Sequence, residues 1–443
     1  MFMDKSRIDV ITMGCSKNLV DSERLLKRLE AKGYKAHHNS HDVKGSIVIV
    51  NTCGFIGDAK EESIDMILQL IEAKKRKRIG SIIVMGCLSE RYRKELQAEM
   101  PEVDKWYGKF DWNEIIDGLP SCNPKANDTC KSWERKLTTP PYSAYLKISE
   151  GCNRFCAYCA IPLITGRHKS RPIEELLAEA EELAKKGVKE LNVIAQDLSS
   201  YGMDLYRQSK LAELVHRLTE IEGIEWIRLH YAYPVDFPWD VLDVMRNNEK
   251  VCNYIDIALQ HISTKVLDNM RRHINKEQTL ELIAKIREKV PGIKIRTTLM
   301  TGFPGEGEKE FEELLEFVEN KRFDRMGAFA YSEEEDTWGA QNFPDDIPQE
   351  TKEERLDRLM SLQEKVSEDL NRQMIGTTVK VLVEGIEDNI LVGRTQWDSP
   401  EVDPSIYVTV PEQLIASYKP GAFVEATVTD ADTFDLFAEL KHK

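Results

Sequence analysis

Two stretches in which short apolar runs alternate with amphipathic helical segments, then a run of short apolar stretches with no helix between them, predict an α/β protein in three parts. The first part reads as a parallel sheet of βαβ pattern, the second as a partial (βα)6 barrel and the third as a small antiparallel β-barrel. The boundaries fall at 1–136 with a linker included, 137–370 and 371–443. A chain of 443 residues exceeds one ordinary core, which agrees with several folding units.

In the first part, 8–13, 46–51 and 81–85 are the apolar strand runs, and 22–31 and 61–73 carry helical spacing. Each helix returns the chain for a parallel pairing, which a tight hairpin cannot do. A stretch with Pro120, Pro124, Pro140 and Pro141 has no periodicity and reads as the linker. In the second part six strands are expected near 144–148, 190–195, 226–229, 254–259, 293–300 and 324–330. Leu356, Leu359, Met360, Gln363 and Val366 predict one long connecting helix over 350–372. Strand-like runs at 377–383, 389–393, 406–410 and 421–429 make the third part.

Hydrophobic residues at 41% and charged residues at 31% describe a folded globular chain rather than a disordered one. No run of eighteen apolar residues occurs and Met1 to Lys5 lack the apolar stretch of an export signal, so no membrane role is expected and the location expected is cytoplasmic. A formal charge of −15 repels nucleic acid at long range and suits a basic protein partner. The run Lys74 to Arg78 closes a predicted helix, where positive charge complements the helix dipole. Glu333 to Asp336 reads as a solvated loop after the sixth barrel strand.

Nine cysteines are too few and too unevenly placed for a disulfide scaffold in a chain of this length. Cys152, Cys156 and Cys159 give Cys-x3-Cys-x2-Cys directly after the first barrel strand, where active-site loops of such barrels lie. Three thiolates on one loop can hold three irons of a [4Fe–4S] cluster and leave the fourth open to a cofactor. Zinc is the alternative, but no fourth Cys or His is spaced to close its shell. Cys15, Cys53 and Cys87 each fall one or two residues past an expected strand end, and the carboxyl ends of strands in an open parallel sheet line one crevice. They are candidates for a second cluster; the alternative is three packing cysteines. Cys122, Cys130 and Cys252 read as packing or free thiols.

The Cys152–Cys159 loop, with Tyr158 before its last cysteine, resembles the signature of the radical S-adenosylmethionine superfamily. With both cysteine sets, the chain resembles a methylthiotransferase from end to end. Met13-Gly14-Cys15-Ser16-Lys17-Asn18-Leu19-Val20-Asp21-Ser22-Glu23 and Gly393 to Asp403 resemble the RimO type, which modifies a ribosomal protein, more than the MiaB type, which modifies transfer RNA. The resemblance implies a radical S-adenosylmethionine barrel, a terminal barrel of TRAM type, two [4Fe–4S] clusters and S-adenosylmethionine. It implies as substrate the β-carbon of an aspartate in small-subunit ribosomal protein S-twelve, free or in the subunit, with an electron donor such as flavodoxin or ferredoxin and a separate sulfur donor. One departure is Thr165-Gly166-Arg167 where the family commonly has Arg-Gly.

Strand-end positions make Gln196-Asp197, His230-Tyr231, Gln260-His261 and Thr301 to Glu306 candidates for cofactor or substrate contact. Tyr158, Gln196, Gly302 and Glu306 are assigned to cofactor binding, and Glu401 and Asp403 in the terminal barrel to substrate binding. That barrel carries six basic against twelve acidic side chains over 371–443, a net of −6, which suits a basic protein better than RNA phosphates. The rival readings are a transfer-RNA methylthiotransferase and a noncatalytic iron–sulfur scaffold.

Overall fold

The apolar runs of the first part become five parallel strands in the order Lys35–His38, Asp4–Thr12, Gly45–Thr52, Ser81–Gly86 and Lys105–Trp106. The computed structural model describes residues 4–41, 43–120, 122 and 130–441, so Met1 to Met3, Pro124 of the expected linker and the basic Lys443 lie outside the described residues. Val48, Ile49 and Val50 are all fully buried, because helices cover both faces of the sheet. The strands 35–38 and 105–106 were not expected; at four and two residues they are too short to show a period of two. The chain leaves Asp4–Thr12 to one side and comes back on the other at Gly45–Thr52, which opens a crevice beyond their carboxyl ends.

Six parallel strands follow in sequence order: Ser143–Lys147, Glu190–Ile194, Trp226–Ala232, Val251–Gln260, Lys294–Thr301 and Arg325–Ala330. The result is an open (βα)6 barrel, as expected. Its helices pack apolar stripes outward of the sheet, such as Leu176, Ala180 and Leu183 of helix Ile173–Lys185. The inside is polar: Glu190, Asn192, Arg228, His230 and Asp256 are all buried.

Helix Gln349–Arg372 starts after Pro348 and leads to a closed five-stranded barrel in the order Thr378–Glu387, Ile390–Thr395, Ile406–Thr409, Leu436–Leu440 and Phe423–Ala431. Strand Leu436–Leu440 was not expected. It points Phe437 outward and Ala438 inward, so its hydrophobic pattern is weak. It closes the barrel by a parallel seam against Ile406–Thr409, so the barrel is not wholly antiparallel as expected.

The terminal barrel docks under the larger one, at the amino ends of its strands. Arg394 reaches Glu190 at 2.7 Å and 3.1 Å, Arg228 reaches the same carboxylate at 3.0 Å, and Arg325 pairs with Asp398 at 2.6 Å. These groups are almost solvent-free, so each charge depends on its partner. Glu190→Gln should therefore leave two buried guanidinium groups short of charge and destabilise the fold by about 3–5 kcal/mol. Denaturant titration measures this, and an unchanged midpoint would show that the ion cluster does not hold the barrels together.

Candidate active site

Each cysteine of the first set stands where a strand gives way to a helix or turn. Gly14, at φ +81°, carries the chain from the first strand to Cys15; a Cβ there would lie 2.7 Å from the Cys53 Sγ, so only glycine lets these two strand ends approach. Cys15 precedes helix Ser16–Ala31 and Cys87 opens helix Cys87–Glu99. The Asn18 amide donates to the carbonyls of Met13 at 3.1 Å and Thr52 at 3.0 Å and ties the two ends together. Its Oδ1 accepts from Cys87 at 3.5 Å and from Lys109 at 3.4 Å. Burial pushes the Cys87 thiol up to about 12, against the pull of Lys109 and with the help of Cys15 and Cys53. The three thiols thus share one crevice.

The second set forms one loop at the carboxyl end of strand Ser143–Lys147. Gly151, at φ +79°, passes so close to the Arg167 carbonyl that a Cβ would sit 2.2 Å from it. Cys152 N–H donates to the Gly166 carbonyl at 3.2 Å and Ala157 N–H to that of Met270 at 2.9 Å, which fold the loop back over the barrel mouth. Burial pushes the Cys152 thiol up to about 11, and burial with the neighbouring Cys156 pushes Cys159 upward as well. Thiols held this way ionise when a metal centre supplies positive charge. Arg272 is 2% exposed and pairs with no carboxylate among the described residues; it donates to the Cys156 Sγ at 3.2 Å and to the Tyr158 hydroxyl at 3.3 Å. Among the described residues no three Cys, His, Asp or Glu side chains stand at single-ion spacing.

A buried charge network joins the two sets. Lys109 lies 3.8 Å from the Cys87 Sγ, 3.4 Å from Asp21 and 3.7 Å from Glu150, the residue before Gly151-Cys152. Lys147 pairs with Glu150 at 2.7 Å and with Asp21. Burial alone would raise the Glu150 carboxyl, but Lys147 and Lys109 hold it down to about 2. Both cysteine sets therefore face one polar mouth between the sheet and the barrel.

Family models match the chain at 7–108 (Uncharacterized protein family UPF0004), 146–318 (Radical SAM superfamily) and 375–440 (TRAM domain). The chain is 55% identical over 438 residues to the "Ribosomal protein uS12 methylthiotransferase RimO" of Phocaeicola vulgatus, covering 99% of this chain and all of that one. The protein of the same name from Bacteroides thetaiotaomicron is 54% identical over the full length of both chains, and that from Cytophaga hutchinsonii 49% over 98% of each. The chain belongs to the RimO family. It is a radical S-adenosylmethionine methylthiotransferase, an iron–sulfur enzyme. The solved structure of the radical S-adenosylmethionine methyltransferase TsrM from Kitasatospora setae shares the fold alone, at TM-score 0.55 and 14% identity over 74% of this chain and 75% of that one.

In this RimO-family chain the residues expected to bind cofactor divide into two groups. Tyr158 and Gln196 reach the mouth: Tyr158 packs edge-on against Phe303, and the Gln196 amide donates to Glu150. The buried Gln196 Oε1, Gln260 Oε1 and Arg272 Nε have no hydrogen-bond partner among the described residues, which suits a site built for a polar ligand. Gly302 and Glu306 instead brace the loop behind Phe303. The Glu306 carboxylate takes Gly302 N–H at 2.9 Å, Arg355 at 2.9 Å and His261 at 3.1 Å, and a Cβ on Gly302 would strike Lys352.

Asp403 departs from its expected place on an open reading surface. Its side chain is 2% exposed and engaged by Arg296, by Tyr254 at 3.2 Å and by Ser399 N–H at 2.8 Å, at the barrel's amino end. Glu401 stays exposed and accepts from the Tyr145 hydroxyl at 3.3 Å. Glu334, expected in a solvated loop, is buried and pairs with Arg91 at 2.7 Å and Lys60 at 2.9 Å, which fastens the first sheet to the barrel. Arg167 is exposed. Lys109, Glu150 and Arg272 had no signal of their own, because their partners lie up to 116 residues away in sequence. The one usable hint was Lys147, a charge inside an apolar strand run. No helix among the described residues is long and apolar enough to cross a membrane.

Proposed function

We propose that this chain adds a methylthio group to the β-carbon of an aspartate in ribosomal protein uS12, using two [4Fe–4S] clusters and S-adenosylmethionine. The observation that carries the reading is the end-to-end match to chains of that name, in a fold whose two cysteine sets face one mouth. Cys152, Cys156 and Cys159 would hold the cluster that binds S-adenosylmethionine, and Cys15, Cys53 and Cys87 the second, in units 1–136 and 137–370, with 371–443 as the substrate-facing unit. When bound, these groups supply hydrogen abstraction from an unactivated carbon and the sulfur that replaces it. The chain's own residues do the rest. Gln196 and Arg272 offer free polar atoms for the cofactor, Tyr158 and Phe303 wall it from water, and Asn18 and Lys109 fix Cys87. A flavodoxin- or ferredoxin-class protein supplies electrons in the cytoplasm, and a separate donor restores sulfur; uS12 is taken free or in the small subunit.

Arg272 offsets the negative charge of the thiolate set, so its loss should disfavour the reduced, more negative form. Arg272→Met should lower the cluster potential by about 60 mV or more, one factor of ten in a one-electron equilibrium. Potentiometric titration followed by electron paramagnetic resonance reads this, and an unmoved potential removes Arg272 from that role.

Glu387, Asp388, Glu401, Glu412, Asp430 and Glu439 leave the terminal barrel with an exposed acidic surface. Glu401 and the 62% exposed Val402 line a groove with Arg296 and Met326 at the open barrel edge. Glu401→Lys should raise KM for uS12 severalfold at low salt and less at physiological ionic strength, where screening acts over about 8 Å. The decisive test is mass analysis of uS12 and of bulk transfer RNA from a strain lacking the gene. Loss of the methylthio mass from uS12 alone is expected; loss from transfer RNA instead makes the MiaB-type reading correct.

A further inference from the structure

Lys17 stands two residues beyond Cys15, in the first turn of helix Ser16–Ala31, yet its ammonium lies 3.3 Å from the centre of the Tyr231 ring. Tyr231 is the next-to-last residue of the barrel strand Trp226–Ala232 and has a φ of 68°. A cation from the first sheet is thereby set at the carboxyl end of the barrel, between the two cysteine sets. Of the other cations there, four have anionic or sulfur partners, and Arg271 lies over the Trp338 ring at 5.0 Å. Lys109 and Lys147 are shared between Asp21 and Glu150, Arg154 pairs with Asp197 at 2.7 Å and Asp236 at 3.0 Å, and Arg272 donates to Cys156. Among the described residues no carboxylate lies within ion-pair distance of the Lys17 ammonium; its partner is the ring. The Tyr231 ring that carries this ammonium lies 5.8 Å from the ring of His230, which is buried inside the barrel.

An ammonium has three donors, and an aromatic face occupies one side of it only. A half-buried cation without a carboxylate is suited to an anion brought by the substrate. In an aspartate the carboxylate is bonded to the β-carbon, so gripping it fixes the position of the carbon that reacts. We propose that Lys17 binds the side-chain carboxylate of the aspartate to be modified and makes the enzyme selective for an acidic side chain. This rests on the uS12 reading above.

The test compares binding of uS12 and of uS12 with that aspartate changed to asparagine, in reconstituted parent, Lys17→Met and Lys17→Arg proteins, by competition and by KM. The parent should prefer the aspartate form by about tenfold or more, as expected for a charge-assisted hydrogen bond. Lys17→Met, with a stem of similar length and no charge, should bind both forms alike; Lys17→Arg should keep most of the preference. Reductive cleavage of S-adenosylmethionine without substrate should stay within about twofold in both. Equal binding by the parent, or a preference that survives in Lys17→Met, overturns the proposal. If Lys17→Met fails to hold iron, Lys17→Gln takes its place and the same two outcomes decide. A parent that leaves uS12 unmodified defeats the uS12 reading instead.

Discussion

Cys156→Ala should reduce cleavage of S-adenosylmethionine to background and remove about four irons per chain, because two remaining thiolates cannot hold a cluster with a single open iron. Cys156 is the most enclosed of its set in hydrogen bonding: Arg272 donates to it at 3.2 Å and the Tyr233 hydroxyl lies at 3.8 Å. The fold should survive, since the hydrophobic layer of the barrel is built from strand and helix residues such as Leu146, Leu191, Leu229 and Ile257 and does not include the loop. The variant would, however, leave the Arg272 guanidinium buried without its sulfur partner, which adds a stability loss of about 1–3 kcal/mol. Iron and sulfide analysis, 5′-deoxyadenosine yield and a melting curve separate the two effects. Retained cleavage in a folded protein would show that Cys156 does not serve the cofactor.

The triple variant Cys15→Ala, Cys53→Ala, Cys87→Ala should behave in the opposite way. It should keep about four irons and the cleavage of S-adenosylmethionine, and form no methylthiolated product. The reason lies in the packing. The crevice belongs to a sheet with its own core around Val48, Val50 and Val84, while the loop of Cys152 to Cys159 hangs from the barrel. Lys109 loses the Cys87 sulfur in this variant but keeps Asp21 and Glu150, so the network that joins the two units retains its charge balance. Loss of both clusters in a folded chain would mean that the six cysteines form one interdependent site.

The strand runs were legible because short apolar stretches alternate with segments of helical spacing, and all six barrel strands lie at such stretches even though their inward positions are polar. Lys35–His38, Lys105–Trp106 and Leu436–Leu440 escaped that rule, being either too short or inverted in polarity, and their places come from the neighbours they pair with. The cysteine sets were legible to different degrees. The loop of Cys152, Cys156 and Cys159 is a local spacing, whereas Cys15, Cys53 and Cys87 became a group only through the rule that strand ends of one sheet share an edge.

By itself the sequence determined the α/β class, the succession of parallel sheet, partial barrel and terminal barrel, and the long helix, because periodicities of two and 3.6 are properties of neighbouring residues. The tertiary structure alone decided which charges meet. Glu150 is held by Lys109 and Lys147, Glu190 by Arg394 from 204 residues away, Asp403 is taken from the surface by Arg296, and Lys17 is left with an aromatic ring. A buried charge has to find its partner wherever packing brings one, and no local pattern records that choice.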